Sequence, residues 1–248
     1  MNRPLSYLAA ATALAFTPAC AQDAAISSDR EAVEEIIYSY LMENPEVLEE
    51  ALIALQVKRQ NAESERARAA IAERLSDLID NPGDNFIGPA EAPVTVVEFF
   101  DYRCGYCKQS ASWTSGLPEK YDNKVRVVFK ELPILSAESE KAALAAVAAG
   151  KQDKYIEMHM GLMELDNGSG FTAAQIDAVA ERVGVDVAKM RADMSSIAVQ
   201  TTVSESKSLA RSLGIDGTPN FIVGTDLVGG ADVAQVEALI EAQLADVG

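Results

Sequence analysis

The sequence predicts an α/β domain preceded by a long helical segment. Three observations predict it. From Asp29 to about Ile79, apolar residues recur at helical spacing with no strand pattern between them. A β-branched and aromatic run, Val94–Phe100, leads straight into a Cys-x-x-Cys pair that opens a helix. A second strand, Val125–Lys130, is followed by a purely helical block, a Pro-led hairpin and a closing helix.

Composition sets the outer limits. The 248 residues are 48% hydrophobic and 24% charged, which is globular and excludes wholesale disorder. Acidic residues outnumber basic ones, 38 to 21, and the formal charge of −17 excludes the basic surface that phosphate contacts need. No nucleic-acid partner is expected. Three cysteines cannot build a disulfide-dense scaffold, and one histidine cannot build a His-rich metal site.

Residues 1–21 have the three parts of a secretory leader: basic Arg3, an apolar run from Leu5 to Phe16, and a small-residue site at Ala19-Cys20-Ala21. The apolar run is too short to span a bilayer. Cleavage after Ala21 and export are predicted. The alternative is a cut before Cys20 and acylation of that cysteine, a pattern that Thr17 and Pro18 fit poorly. After cleavage at Ala21 only Cys104 and Cys107 remain, in an oxidising compartment.

The helical segment, 22–85, begins with Val33, Ile36, Ile37, Tyr40 and Leu41 on one face. Asn44-Pro45 breaks that helix and caps the next, because Asn suits an N-cap and Pro the first helical position. The second helix carries Val47, Leu48, Leu52 and Leu55, a polar stretch from Lys58 to Arg68, then Ile71, Leu75, Leu78 and Ile79, and stops at Asn81-Pro82-Gly83. Unbroken, it would be ~50 Å long. Its stripe must bury against something. Either it folds back on its own body or it is an oligomerisation stalk, and the polar middle favours the stalk.

Residues 86–248 form the α/β part. Within it, 136–213 reads as short helices, among them Lys141–Ala149, Lys151–Leu165, Thr172–Val183 and Val199–Leu213. Phe221–Val223 and Leu227–Val228 are strands about Gly224-Thr225, and Ala231–Ala245 closes the chain as an amphipathic helix. Gly116-Leu117-Pro118 is expected to interrupt the helix after the Cys pair.

Cys104-Gly105-Tyr106-Cys107 is the candidate site. At a helix N-terminus, unpaired N–H groups and the helix dipole favour a thiolate at Cys104, the attacking species in disulfide exchange. Cys107, one turn deeper, can resolve the mixed disulfide. Structural zinc would need four ligands, and there is no second pair. Haem attachment would need His where Lys108 stands. An inert clip would restrain the unfolded chain little, because its loop is tiny. Thr218-Pro219 before a strand can hold a cis proline.

The run Val96–Cys107, VVEFFDYRCGYC, with Gly217-Thr218-Pro219-Asn220-Phe221, resembles thioredoxin-fold proteins of the DsbA class. Asn44–Leu52, NPEVLEEAL, and Val125–Leu135, VRVVFKELPIL, are similar to the branch of ScsC (suppressor of copper sensitivity) and Com1-like proteins. The resemblance implies a thioredoxin fold with an inserted helical domain at about 136–213. It implies Cys104 as nucleophile, Cys107 as resolving thiol and Pro219 as a cis proline facing the pair. Thr218 and Tyr106 would meet substrate. Glu98 would be a buried acid under the site, with Lys130 on the neighbouring strand as its partner; an ordinary strand-end acid facing water is the plain alternative.

The resemblance further implies a periplasmic thiol–disulfide oxidoreductase acting on misoxidised or reduced secreted proteins. A membrane thiol reductase of the DsbD/ScsB type would recharge it, and the N-terminal segment would form a homo-oligomer, a trimer in this branch. Cys-Gly-Tyr-Cys and the Thr before the proline favour isomerase or reductase work; a dithiol oxidase is the alternative. A copper(I)-binding or chaperone-type protein is the alternative of another class. No cofactor and no resident metal are expected. Met158, His159 and Met160 tempt a copper reading, but Met158 and Met160 point to different sides of a helix, and core packing is the better reading.

Overall fold

The computed structural model of the chain describes residues 20–168 and 171–246. The leader reading at 1–21 lies outside them except for its last two residues. The described chain divides into two compact units, one ending at Asn61 and the other beginning at Ala62.

The first unit contains α1 (Cys20–Glu43) and the opening of α2 (Glu46–Glu73). The break falls at Asn44-Pro45 as expected, but the Asn44 side chain does not cap α2: it turns back to donate to the Tyr40 carbonyl of α1 at 2.8 Å. Val33, Ile36, Ile37, Tyr40, Leu48, Leu52 and Leu55 are all exposed. Among the described residues no helix is long and apolar enough to cross a membrane.

In the second unit α2 ends at Glu73, and the short α3 (Leu75–Ile79) follows, so the expected continuous helix is broken at Arg74. Three-residue β1 (Asn85–Ile87) comes next, a strand too short to leave a sequence pattern. Then come β2 (Val94–Phe100), α4 (Gly105–Lys120) and β3 (Val125–Glu131). The helical insertion is α5 (Ala137–Gly150), α6 (Tyr155–Met163), α7 (Ala173–Arg182), α8 (Val187–Met194) and α9 (Ile197–Ser212). The chain closes with β4 (Asn220–Val223), β5 (Asp226–Gly229) and α10 (Val233–Asp246). Polar side chains cap four of the five insertion helices: Ser136, Asp186 and Ser196 each accept a backbone N–H, and Thr172 forms a full capping box with Gln175, while α6 has no side-chain cap.

The five strands are ordered β1-β3-β2-β4-β5. β2 and β3 are parallel, and the other three pairings are antiparallel. Gly224, at φ +63°, makes the tight turn between β4 and β5, where a Cβ would be strained. Both faces of the central strands are covered, which is why β2 and β3 read as nearly continuous apolar runs. Val94, Val96, Phe100, Val127 and Phe129 face one core, shared with α4 and the insertion. Val97, Phe99, Val128 and Leu132 face the other, closed by Ile71 of α2, Leu78 of α3 and Leu209 of α9.

Helix α4 runs through Pro118 to Lys120, contrary to the expected interruption. The proline sits in the last turn, where its missing N–H removes one helical hydrogen bond and only two helical residues follow.

Candidate active site

Strand β2 ends at Phe100 in the middle of the sheet, and α4 starts at Gly105, so the turn between them projects from the sheet's C-terminal edge. Cys104 is the N-cap of α4 and keeps an extended backbone, φ −75° and ψ 120°. Cys107, one turn into the helix, is wholly buried, and both cysteines are free thiols. Tyr106 between them is 65% exposed.

The Thr218-Pro219 bond is cis and places Thr218 against the nucleophile position. The Cys104 thiol donates to the Thr218 carbonyl oxygen at 3.2 Å. The Pro219 carbonyl is already used, accepting from the Gly230 N–H at 2.9 Å.

The two thiols have opposite electrostatics. The Cys104 thiolate receives the Cys107 thiol, the Thr218 hydroxyl and the N–H groups of Cys107 and Tyr106, and these donors outweigh partial burial to bring its pKa down to about 5. Burial, the hydrogen bond given to Cys104 and the charges of Glu98 and Cys104 push the Cys107 thiol far up. One sulfur is ready to attack while the other holds its proton.

Glu98 lies on the face of β2 that carries Phe100 and α4. It is fully buried, and neither carboxyl oxygen has a hydrogen-bond partner. The Thr114 hydroxyl nearby donates to the Ser110 carbonyl at 3.1 Å. Desolvation outweighs the lowering influence of that hydroxyl and, with a smaller push from the Cys104 charge, lifts the Glu98 pKa to about 8. The expected Glu98–Lys130 pair is not formed. Glu98 registers with Phe129, and Phe99 with Lys130. Side chains alternate along a strand, so Glu98 and Lys130 point to opposite faces of the sheet. Lys130 instead forms a buried ion pair with Asp84 and donates to the Asp77 carbonyl at 2.6 Å. It is therefore removed from the site and ties α3 and the following loop to the far face.

Three further groups surround the motif without having been singled out from the sequence. Lys108 donates to the carbonyls of Met163 and Leu165 at 2.9 and 2.6 Å. Arg103 and Asn167 exchange side chain-to-carbonyl bonds at 3.3 and 2.8 Å. Together they bind the motif to the turn after α6. Beneath them, the buried Glu131 carboxyl accepts from the hydroxyls of Tyr102 and Tyr155 at 3.1 and 2.9 Å. Met158 and His159 are fully buried there, and the His159 ring packs against Phe100, Phe129 and Tyr155.

The family described as the DSBA-like thioredoxin domain matches residues 95–241. The chain belongs to that family. Its second unit is a thiol–disulfide oxidoreductase domain of the DsbA type, with a helical insertion between β3 and β4. The N-terminal domain of the copper resistance protein ScsC matches residues 29–62. A solved thioredoxin-like oxidoreductase from Silicibacter pomeroyi is 36% identical, covering 67% of this chain and 95% of that one at a TM-score of 0.63. Proteus mirabilis ScsC in a transitional conformation is 30% identical, covering 89% and 99% at a TM-score of 0.66. The Na(+)/H(+) antiporter NhaA 1 of Salinispora arenicola is 33% identical over 163 residues, 64% of this chain and 24% of that protein. The chain thus spans about a quarter of the length of that antiporter.

Proposed function

We propose that this chain is an exported, periplasmic protein thiol–disulfide oxidoreductase working as a disulfide isomerase or reductase. The observation that carries the reading is the asymmetry of the pair: an acidic Cys104 held against Thr218, and a Cys107 that keeps its proton. The Cys104 thiolate attacks one sulfur of a substrate disulfide. A Cys104–substrate disulfide forms, and the other substrate sulfur leaves as a thiolate. That thiolate attacks a second substrate disulfide, and the thiolate freed there attacks the Cys104–substrate bond and expels Cys104 as a thiolate, which is isomerisation. Otherwise Cys107 passes its proton to the ionised fraction of Glu98 and displaces the substrate, which leaves reduced while Cys104 and Cys107 become a disulfide.

Thr218 and Tyr106 are the substrate-facing residues of this reading. Ionisation of Cys104 removes the proton that the Thr218 carbonyl accepts, and that carbonyl can then take an N–H from an extended substrate segment. The exposed apolar residues of α1 and α2 support self-association of the N-terminal unit, and the resemblance to the ScsC branch is what suggests a trimer. Clients are misoxidised secreted proteins, and a membrane thiol reductase of the DsbD/ScsB type returns the pair to the dithiol. The leader-like residues 1–21 support export.

A second reading has one observation in its favour. Stabilising the Cys104 thiolate stabilises the reduced protein and makes its disulfide a stronger oxidant, which also suits a dithiol oxidase. Refolding of scrambled ribonuclease by the reduced protein, together with thiol trapping of the pair in cells, separates the two. Recovery of native ribonuclease and a reduced pair support isomerase work. No recovery and an oxidised pair support the oxidase.

A further inference from the structure

We propose that Asp101 is a positioning residue for the nucleophile, coupling the turn that holds Cys104 to the helical insertion. This rests on the reading of Cys104 as the attacking thiol. Asp101 follows the last residue of β2 and is almost completely buried, 1% exposed. Its carboxylate accepts four hydrogen bonds. One oxygen takes the Arg103 N–H at 2.8 Å and the Ser139 hydroxyl at 2.7 Å. The other takes the N–H groups of Ile134 and Leu135, both at 2.9 Å. Three of the donors come from the chain that leaves β3 and enters α5, the first helix of the insertion.

The main chain of the same residue faces both sulfur-bearing residues. Its carbonyl accepts the Cys104 N–H at 3.0 Å, and its own N–H is directed at the Cys107 sulfur. The side chain is thus anchored to the insertion while the backbone sets where the two cysteines sit. No flexible link lies between the two, because one residue supplies all the contacts. A low thiol pKa depends on several donors converging on one sulfur, so a small displacement of the turn weakens all of them together.

The sign of the effect distinguishes positioning from simple charge. Asp101 is a negative group near Cys104, with Arg103, Lys108 and Glu131 the charged or titratable groups around it. Removing its charge alone would make Cys104 more acidic. Asp101→Asn presents an amide N–H₂ to donors that need an acceptor, so it breaks the anchor while nearly preserving shape.

The test is the ionisation midpoint of Cys104, followed by ultraviolet thiolate absorbance and by the pH profile of its reaction with glutathione disulfide. It is run on the full chain, on Asp101→Asn and on Ser139→Ala, which removes one peripheral donor and supports the inference if the first variant does not fold. The expected result is an upward shift of the midpoint, about a tenfold loss of acidity for Asp101→Asn and a smaller loss in the same direction for Ser139→Ala. An unchanged or lowered midpoint in the folded variants overturns the inference. If the unaltered chain itself shows an ordinary cysteine midpoint, it is the reading of Cys104 as nucleophile that fails.

Discussion

The sulfur of Cys104 lies 3.2 Å from the carbonyl oxygen of Thr218, across the cis bond that joins Thr218 to Pro219. The hydroxyl of the same threonine lowers the Cys104 pKa. Thr218→Val keeps the shape and the backbone contact and removes only that hydroxyl. We expect Cys104 to lose up to about tenfold in acidity, ~1.4 kcal/mol of thiolate stabilisation. Iodoacetamide alkylation across pH reads the change directly, and an unaltered profile would remove Thr218 from the account.

Glu98 sets a second expectation, on stability. Its folded pKa, about 8, lies above the ordinary carboxyl value of 4.5. The folded state therefore holds a proton that the unfolded chain has lost. Stability from this group is fully present below about pH 4.5 and is lost as pH rises through the folded value. Glu98→Gln should raise the melting temperature at about pH 8, by an amount that shrinks steadily toward about pH 4.5. The same variant should slow the release of a trapped Cys104 mixed disulfide by roughly tenfold or more, since the acceptor for the Cys107 proton is gone. Calorimetry across pH and quenched-flow release of a labelled peptide measure the two effects.

Lys130 should behave quite differently. It forms its buried ion pair with Asp84 on the far side of the sheet. Lys130→Met strands the Asp84 carboxylate, whose pKa burial already lifts to about 6. A loss of about 3–5 kcal/mol in urea unfolding is expected, in the range for breaking a buried pair. Asp84→Asn in the same chain should recover part of it. The Cys104 ionisation midpoint should not move; if it moved, Lys130 would be coupled to the site after all.

For the N-terminal unit, the expectation concerns assembly. Ile36 and Leu52 are exposed at 68% and 66% on their helices. Ile36→Asp with Leu52→Asp should convert an oligomer into a monomer by light scattering while leaving the rate with glutathione disulfide unchanged. A chain that is monomeric before any substitution would remove the oligomer from the proposed function.

Much of this was legible in the residues themselves. Val94–Phe100 showed its strand through β-branched and aromatic residues interrupted only by Glu98, because a central strand is buried on both faces. Asn44-Pro45 marked the helix break through the proline, which lacks an N–H and suits a helix start. The Cys pair, the Thr218-Pro219 bond and a buried Glu98 stood out through motif and family likeness. What escaped depends on register and on distant partners. Whether Glu98 and Lys130 share a face turns on a one-residue offset between β2 and β3, which no local pattern carries. Asp101 looks like any loop acid until Ile134, Leu135 and Ser139 return to it from more than thirty positions away. β1 is three residues long and α3 five, too short for periodicity to declare them.

The central claim is that Cys104 is an abnormally acidic thiol. Titrating thiolate absorbance of the reduced chain against pH, with Cys107→Ser as the control for assignment, tests it most directly. A first ionisation near pH 5 that vanishes in Cys104→Ser is the predicted result. A single ionisation close to 9, the ordinary thiol value, would contradict it.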